Sequence, residues 1–452
     1  MSGRPVDAAA LKSVLEGVLG PEGCRFDPAA REPFALDGRV PEAVVYPPTP
    51  ERAAELLRAC GGAWGIVPWG GGHRAEIGPP PTRYGVALSL ARIAEIGEYD
   101  TESLTLSAGA GTTLFDVDQR TRAHNQMLAV GWPWERHTLG GLAAGNRGTP
   151  KRLAYGALRD QLLGIKVALA DGSLTRFGGK VLKNVAGYDM TKFFLGSRGA
   201  LGVIVETTWK LFSRPDHEVY LWAAMPSVDA AARLAADLLR SPLLPACVFL
   251  LEPKAAQRLA GLERLGDLAG RPLALVGFDG RAAATRRQTA DAEALAGKAG
   301  GEALPVREEI GQQAAGYLMG ELPSEEPALR LRLGTLPSFS GKAFGAVRSA
   351  LDDHGCTGEA VADYAAGRLT LWADAAESAP EALRGLTETL RKRLAPVDGF
   401  VEVERAPPEV KASLSLWGDL GGSAKLNRVF KEKLDPQNAL APGRLPGVPG
   451  EF

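Results

Sequence analysis

Glycines gather in this sequence where β-strands should end, and that constrains the fold more than any other feature. Three clusters stand out: Gly70-Gly71-Gly72, the stretch from Thr138 through Gly140-Gly141 to Gly148, and the knot from Gly196 to Gly202. Each adjoins a β-like run: Gly65 to Pro68 before the first, Leu162 to Ala170 after the second, and Val203 onward after the third. Glycines between strands mark places where backbone approaches something closely or takes a positive φ. Three such clusters imply one large ligand gripped by main chain from several sides.

A chain of 452 residues can bury a sizeable core and is expected to form two domains or more. The formal net charge of −1 gives no reason to expect a nucleic-acid or anionic-membrane partner. Cys24, Cys60, Cys247 and Cys356 lie far apart with no C-x-x-C pattern. That argues against a zinc or iron–sulfur site held by this chain, and reduced thiols in a cytosolic protein fit better than disulfides. No apolar run approaches the ~18 residues a membrane helix needs. The N-terminus does not read as a signal peptide, because Leu11, Val14, Leu15, Val18 and Leu19 form a helical stripe behind a capping Asp7.

The first glycine loop sits at the end of a β-α-β start. Ala43 to Tyr46 reads as a strand, Thr49-Pro50 as a helix cap and first helical residue, and Gly61-Gly62 as the helix stop. A dinucleotide fold of the Rossmann type needs a helix directly after its glycines, but Pro79-Pro80-Pro81 follows instead. No Gly-Lys-Ser or Gly-Lys-Thr completes a Walker loop either. What remains is a run of backbone N–H groups able to form an anion nest, or a plain tight turn. Further on, a helix is expected from Leu114 to about His124, with Leu114, Val117 and Thr121 inward, and Trp132-Pro133-Trp134 lead into the second cluster.

After Ser213-Arg214-Pro215 the texture changes. Strands are expected at Val219 to Ala224, Cys247 to Leu251, Pro272 to Phe278, Leu329 to Leu333, Leu369 to Ala373 and Phe400 to Val403. Helices at Val228 to Leu239, Arg281 to Leu295, Ala343 to Leu351 and Pro380 to Leu394 separate them. Two strand–helix–strand passes of this kind make an α+β layer on an antiparallel sheet. No chemical motif is visible in this half; His217 and His354 stand alone. The tail carries an amphipathic helix (Leu426, Val429, Phe430, Leu434) stopped by Asp435-Pro436, then a turn at Pro442-Gly443-Arg444.

The sequence resembles the vanillyl-alcohol-oxidase or PCMH-type family of FAD-binding proteins, and within it the FAD-binding subunit of bacterial glycolate oxidase. The matching pieces are Trp69 to Gly78, Thr138 to Gly148, Tyr155 to Asp160, Lys183 to Asp189, Gly196-Ser197 with Gly199 to Ile204, and Leu434-Asp435-Pro436 with Pro442-Gly443-Arg444. The resemblance implies an α+β fold: a two-subdomain PCMH-type FAD-binding domain plus a ferredoxin-like α+β cap with an antiparallel sheet. The expected segments are a helical stretch (1–35), the FAD-binding domain (36–215), the cap (216–410) and a C-terminal segment returning to the FAD domain (411–452).

Carried over by position, Gly70, Gly71, Gly72, His73 and Arg74 would contact the FAD diphosphate. Thr138, Leu139, Gly140, Gly141, Ala144 and Gly148 would line the flavin and ribityl chain, and Gly202, Val203 and Ile204 would offer main-chain bonds near the adenine. His73 stands where many relatives have Ser or Thr. A histidine there either hydrogen-bonds beside phosphate, with FAD held non-covalently, or bonds the flavin covalently. Arg198 would pair with a ligand phosphate or sit in solvent, and Lys151-Arg152 reads as a subunit contact or, by preference, a solvated face. Lys183, Tyr188 and Lys192 are weak candidates for catalysis by motif position, with a structural loop as the blander reading. No metal site is expected.

The implied activity is oxidation of a small 2-hydroxy acid, of the glycolate or lactate type, by hydride transfer to flavin N5. The alternatives are an electron-relaying FAD subunit of a multisubunit dehydrogenase and a covalent-flavin alcohol or sugar oxidase. The resemblance also implies a homologous flavoprotein subunit and an iron–sulfur subunit as partners. The expected place is the cytoplasm, with membrane association through partner subunits as the alternative and no membrane span of its own.

Overall fold

The computed structural model describes residues 7–131, 136–179, 188–259, 268, 270–319, 327–375 and 380–449. Lys183 and the Trp132-Pro133-Trp134 run lie outside them.

The first glycine loop leaves the end of a small sheet ordered Cys24–Arg25, Ala43–Val45, Val86–Ser89, Ile66–Trp69. The last two pairings are parallel, as a β-α-β connection requires. The crossover helix Pro50–Cys60 starts where its sequence says: Thr49 Oγ1 accepts from the Arg52 amide, Pro50 takes the first position, and Gly61 ends it at φ 53°. Leu56 and Leu57 are buried beneath it. The N-terminal helix Ala8–Leu19 is capped by Asp7 and buries Leu11, Leu15 and Leu19.

A second, five-stranded antiparallel sheet runs Ile96–Asp100, Thr105–Gly109, Val203–Lys210, Leu162–Ala168, Leu174–Gly178. One continuous core, from Val45 and Ile66 to Leu106, Ile165 and Trp209, joins the two sheets. The helix Leu114–Arg122 buries Leu114, Val117 and Thr121.

The cap is one eight-stranded antiparallel sheet made of two βαββαβ units side by side. The first unit orders its strands Glu302–Val306, His217–Ala224, Leu273–Gly280, Cys247–Leu251. The second continues with Cys356–Asp363, Arg368–Ala375, Leu329–Gly334, Phe400–Arg405. Each unit thus has the ferredoxin-like order, the second in mirror sequence along the sheet. Helices Val228–Arg240, Ala282–Lys298, Ser340–Asp353 and Pro380–Leu394 cover one face, where Leu221, Ala223, Leu331 and Leu333 enter the core. The strand pleat sends alternate residues to the opposite face. There the first unit shows Tyr220 and Trp222, packed with Ala314 and Leu318 of the helix Glu308–Leu318.

The C-terminal segment returns to the first sheet. Leu440 forms a parallel bridge with Ile66, the Ile66 amide donates to Ala439 O at 2.7 Å, and the Ala441 amide donates to Ile66 O at 2.8 Å. The helix Ser423–Leu434 before it turns only part of its expected stripe inward: Leu434 packs on the core and Phe430 on Phe193, but Leu426 is 57% exposed, while Lys431 is 1% exposed. The reason is polar. Lys431 Nζ donates to Ala200 O, Leu440 O and the Asp435 carboxylate at 2.6–2.7 Å, so the lysine is the anchor.

Candidate functional site

The three glycine clusters meet. Gly70, Gly71, Gly72, His73, Arg74, Thr138, Gly140, Gly141, Ala144, Gly148 and Ile204 line one cleft between the two sheets of the N-terminal half and the cap. Leu139, fully buried, packs into the core behind it. Gly202 and Val203 are likewise buried and are not among the lining residues. Tyr188 is 95% exposed and lies off the cleft. Lys192 also lies off the cleft, held by Asp189 at 3.4 Å and by Leu162 O.

The glycines do different work in different loops. The amides of Gly70, Gly71 and Gly72 have no hydrogen-bond partner among the described residues, and the loop's end is fixed by the Ala75 amide donating to Gly72 O. By contrast, the Leu139 amide donates to Thr112 O, that of Gly140 to Ala110 O, and that of Gly141 to Thr138 Oγ1. Those amides are already used. Close packing explains the second set, since a Cβ on Gly140 would stand 2.6 Å from Ala110 Cβ; the first loop is close-packed as well, a Cβ on Gly71 standing 1.6 Å from Arg136 O. Thr138 caps the short helix Leu139–Gly145, an element that its glycines hid from sequence periodicity.

The cleft wall is cationic. Arg74, Arg136, Arg147, Arg198 and Arg444 line it with His73 and His137, and no Asp or Glu is among the described lining residues. The two imidazoles stack, ring centroids 4.1 Å apart and 12° from parallel. Thr149 Oγ1 and Ser197 Oγ, beside the lining residues Gly148 and Arg198, are buried without a hydrogen-bond partner among the described residues. Buried hydroxyls left so are costly unless a bound polar group completes them.

Behind this wall stands a ladder of charges from the second cap unit. Along Leu329–Gly334, Leu329, Leu331 and Leu333 face the cap helices while Arg330 and Arg332 face the cleft side. On the neighbouring Phe400–Arg405, Val401 and Val403 go inward to the helices, leaving Glu402 and Glu404 opposite. Glu404, 0% exposed, holds Arg147 through both oxygens and Arg330 Nε at 3.2 Å. Glu402 holds Arg332 and takes Arg198 Nη2 at 2.7 Å. Burial alone would raise the Glu402 carboxyl, but Arg332 and Arg198 outweigh it and hold the group below its ordinary value. Burial pushes Arg147 well down, and nearby Arg74 and Arg332 add to that.

Arg198 therefore does not sit in solvent: it lines the cleft, pairs with Glu402 and lies over Trp417 at 4.2 Å. Lys151 is corrected as well. It is 5% exposed and joins Glu218 at 2.6 Å and Asp279 at 2.9 Å, with Tyr155 OH donating to the same Asp279. Arg152 is the exposed neighbour. The alternating runs Leu329 to Gly334 and Val401 to Arg405 carried the signal for the ladder. Strict leucine–arginine and valine–glutamate alternation inside a covered sheet means that the charged faces meet.

Comparison with known proteins fits this geometry. Residues 41–178 match the model of an FAD binding domain, and residues 214–325 match the C-terminal domain of FAD linked oxidases, between them more than half the chain. The chain belongs to the FAD-linked oxidase family. It is 30% identical to the glycolate oxidase subunit GlcD of Bacillus subtilis over 66% of this chain and 64% of that protein. It is 30% identical to a D-lactate dehydrogenase of Archaeoglobus fulgidus over 55% of each chain. With the glycolate oxidase subunit GlcE of Escherichia coli it shares 33% identity over 41% of this chain and 53% of that one. The matches thus span between half and two thirds of these relatives' lengths. Among solved structures, p-cresol methylhydroxylase superposes with a TM-score of 0.76 at 15% identity, covering 99% of this chain and 98% of that one. At that identity the likeness shows the PCMH-type fold alone.

FAD is the cofactor of this family member, and the cleft suits it. The free Gly70–Gly72 amides, the cationic wall and the two orphan hydroxyls are the donors that a dinucleotide with a diphosphate takes up. Among the described residues, no three His, Cys, Asp or Glu side chains gather to share a metal ion, and no helix is long and apolar enough to cross a membrane.

Proposed function

We propose that this chain oxidises a small 2-hydroxy acid of the glycolate or lactate type, as the FAD-binding subunit of a larger cytoplasmic dehydrogenase. One observation carries the reading: the cleft between the FAD-binding half and the cap is walled by arginines and histidines, with no carboxylate among the described lining residues. Such a wall accepts a substrate carboxylate beside the cofactor's own charge. The proposed cofactor residues are Gly70, Gly71, Gly72, His73, Arg74, Thr138, Gly140, Gly141, Ala144, Gly148 and Ile204, with Leu139, Gly202 and Val203 supporting them from behind.

When bound, FAD supplies the two-electron acceptor for the substrate's hydride. The chain's residues supply the rest. Arg147, fixed by Glu404 at the junction with the cap, orients the carboxylate. His73 or His137 takes the hydroxyl proton, imidazole being the side chain that exchanges protons near neutral pH. The buried, unpaired thiols Cys24, Cys60, Cys247 and Cys356 support a reducing compartment.

A specific observation favours a second reading, an electron-relaying subunit. Arg147 and Arg198 are each committed to a glutamate, which leaves less of their charge for a substrate. The matches to GlcD and GlcE, both named as subunits, support a homologous flavoprotein and an iron–sulfur subunit as partners. Anaerobic addition of glycolate or D-lactate to the purified yellow protein separates the two. Bleaching of the flavin band is the expected result; a band that stays oxidised until a partner subunit is added would favour the relay. Flavin that stays with acid-precipitated polypeptide would establish a covalent link, for which His73 is the candidate, and its release is expected.

A further inference from the structure

The C-terminal tail carries a buried cation, Arg444, that has no ion-pair partner among the described residues. Arg444 is 5% exposed and lines the cleft. Its guanidinium donates to three main-chain oxygens of the segment that follows the first glycine loop: Ala75 O at 2.5 Å, Ile77 O at 2.9 Å and Pro79 O at 3.0 Å. No carboxylate among the described residues forms an ion pair with it. Asp37 is held by Lys411 at 2.8 Å, and Glu76 by Arg330 at 2.6 Å. Burial is the largest cause and Arg198 adds to it; Asp37 and Glu76 offset only part of this from a distance, so Arg444 is pushed down to about 10.

A guanidinium buried without an anion costs stability, and carbonyl dipoles compensate only part of that cost. The tail also holds the other side of the cleft. Lys431 grips Ala200 O, within the third glycine knot, and Leu440 bridges to Ile66, in the strand that runs into Gly70. Two buried cations from one segment thus fix both glycine loops.

We propose that Arg444 is a positioning residue that supplies counter-charge to the diphosphate of FAD, so that docking of the C-terminal tail and retention of the cofactor are one event. This rests on FAD as the occupant of the cleft. The charge left over after the three carbonyl bonds is satisfied by the dinucleotide, and the tail's own fold is completed by it.

The test is FAD titration of the cofactor-stripped full chain by flavin fluorescence at low and high salt, with the fold of each variant checked by circular dichroism. Arg444→Met is expected to weaken FAD by about 10- to 100-fold, the range of a lost charge-assisted contact, and to flatten the salt dependence. Arg444→Lys keeps the charge but cannot fork to three carbonyls, and it is expected to bind within a few-fold of the unaltered chain. A folded Arg444→Met variant with unaltered affinity overturns the proposal. If that variant does not fold, Arg444→Lys decides: near-normal affinity supports the role of charge, and a loss of about tenfold or more in a folded protein overturns it. An unaltered chain that takes up no FAD would instead refute the cofactor assignment, a different outcome.

Discussion

The two units of the cap share a topology and differ in what they do with their second face. In the first, Tyr220 and Trp222 pack with the helix Glu308–Leu318, and charge is confined to the strand ends, where Glu218 and Asp279 take Lys151. In the second, the equivalent strand presents Arg330 and Arg332, with Glu402 and Glu404 beside them, and the FAD-binding half covers it. Sheet order is therefore indifferent to function; what the strand's alternate residues meet decides it. An apolar filling needs only volume, whereas the charged filling needs every partner in place.

That contrast can be broken most severely at Glu404. Glu404→Ala strands Arg147 without its anion, leaves Arg330 only Glu76, and is expected to destabilise the chain by about 3–5 kcal/mol in chemical unfolding. It should weaken FAD binding at the same time. Trp222→Ala sharpens the comparison from the other unit: a cavity cost of about 3–4 kcal/mol, with FAD affinity unchanged in the folded fraction. Equal loss of FAD affinity in both variants would erase the distinction between the faces. Thr138→Ala, which removes the cap of the Leu139–Gly145 helix, is expected to cost about 1 kcal/mol of thermal stability and to loosen flavin contacts only slightly.

The least effect concerns acid. The Glu402 carboxyl lies below its ordinary value of 4.5 in the folded protein, so near neutral pH both states are ionised and the native state holds the full benefit. As pH falls below that value the unfolded chain takes up its proton first, and stability is lost through the folded value. Urea midpoints measured across that range should fall less steeply for Glu402→Gln.

Much of the fold could be read from residues. Thr49-Pro50 with Gly61-Gly62 defined a helix, and the strand Cys247–Leu251 and helix Pro380–Leu394 stand where periodicity puts them. The glycine loops announced the cleft because backbone requirements are local. The ladder was invisible as a site because its partners are set by tertiary pairing: Arg198 and Glu402 are 204 positions apart. The helix Ser423–Leu434 shows the same limit. Its period was right, but which face is inward depends on Ala200 O and Leu440 O, which no local pattern reports.

One short stretch, 147–151, touches both cap units. Arg147 reaches Glu404 and receives Arg368 at its carbonyl in the second unit, while Lys151 reaches Glu218 and Asp279 in the first. The units themselves are stitched by three register pairs, from Phe249 with Asp363 to Leu251 with Val361. Those five residues are thus a rivet across the seam, and Gly148 in their middle is also cleft wall. Any shear between the units is delivered mechanically to the cofactor's doorstep.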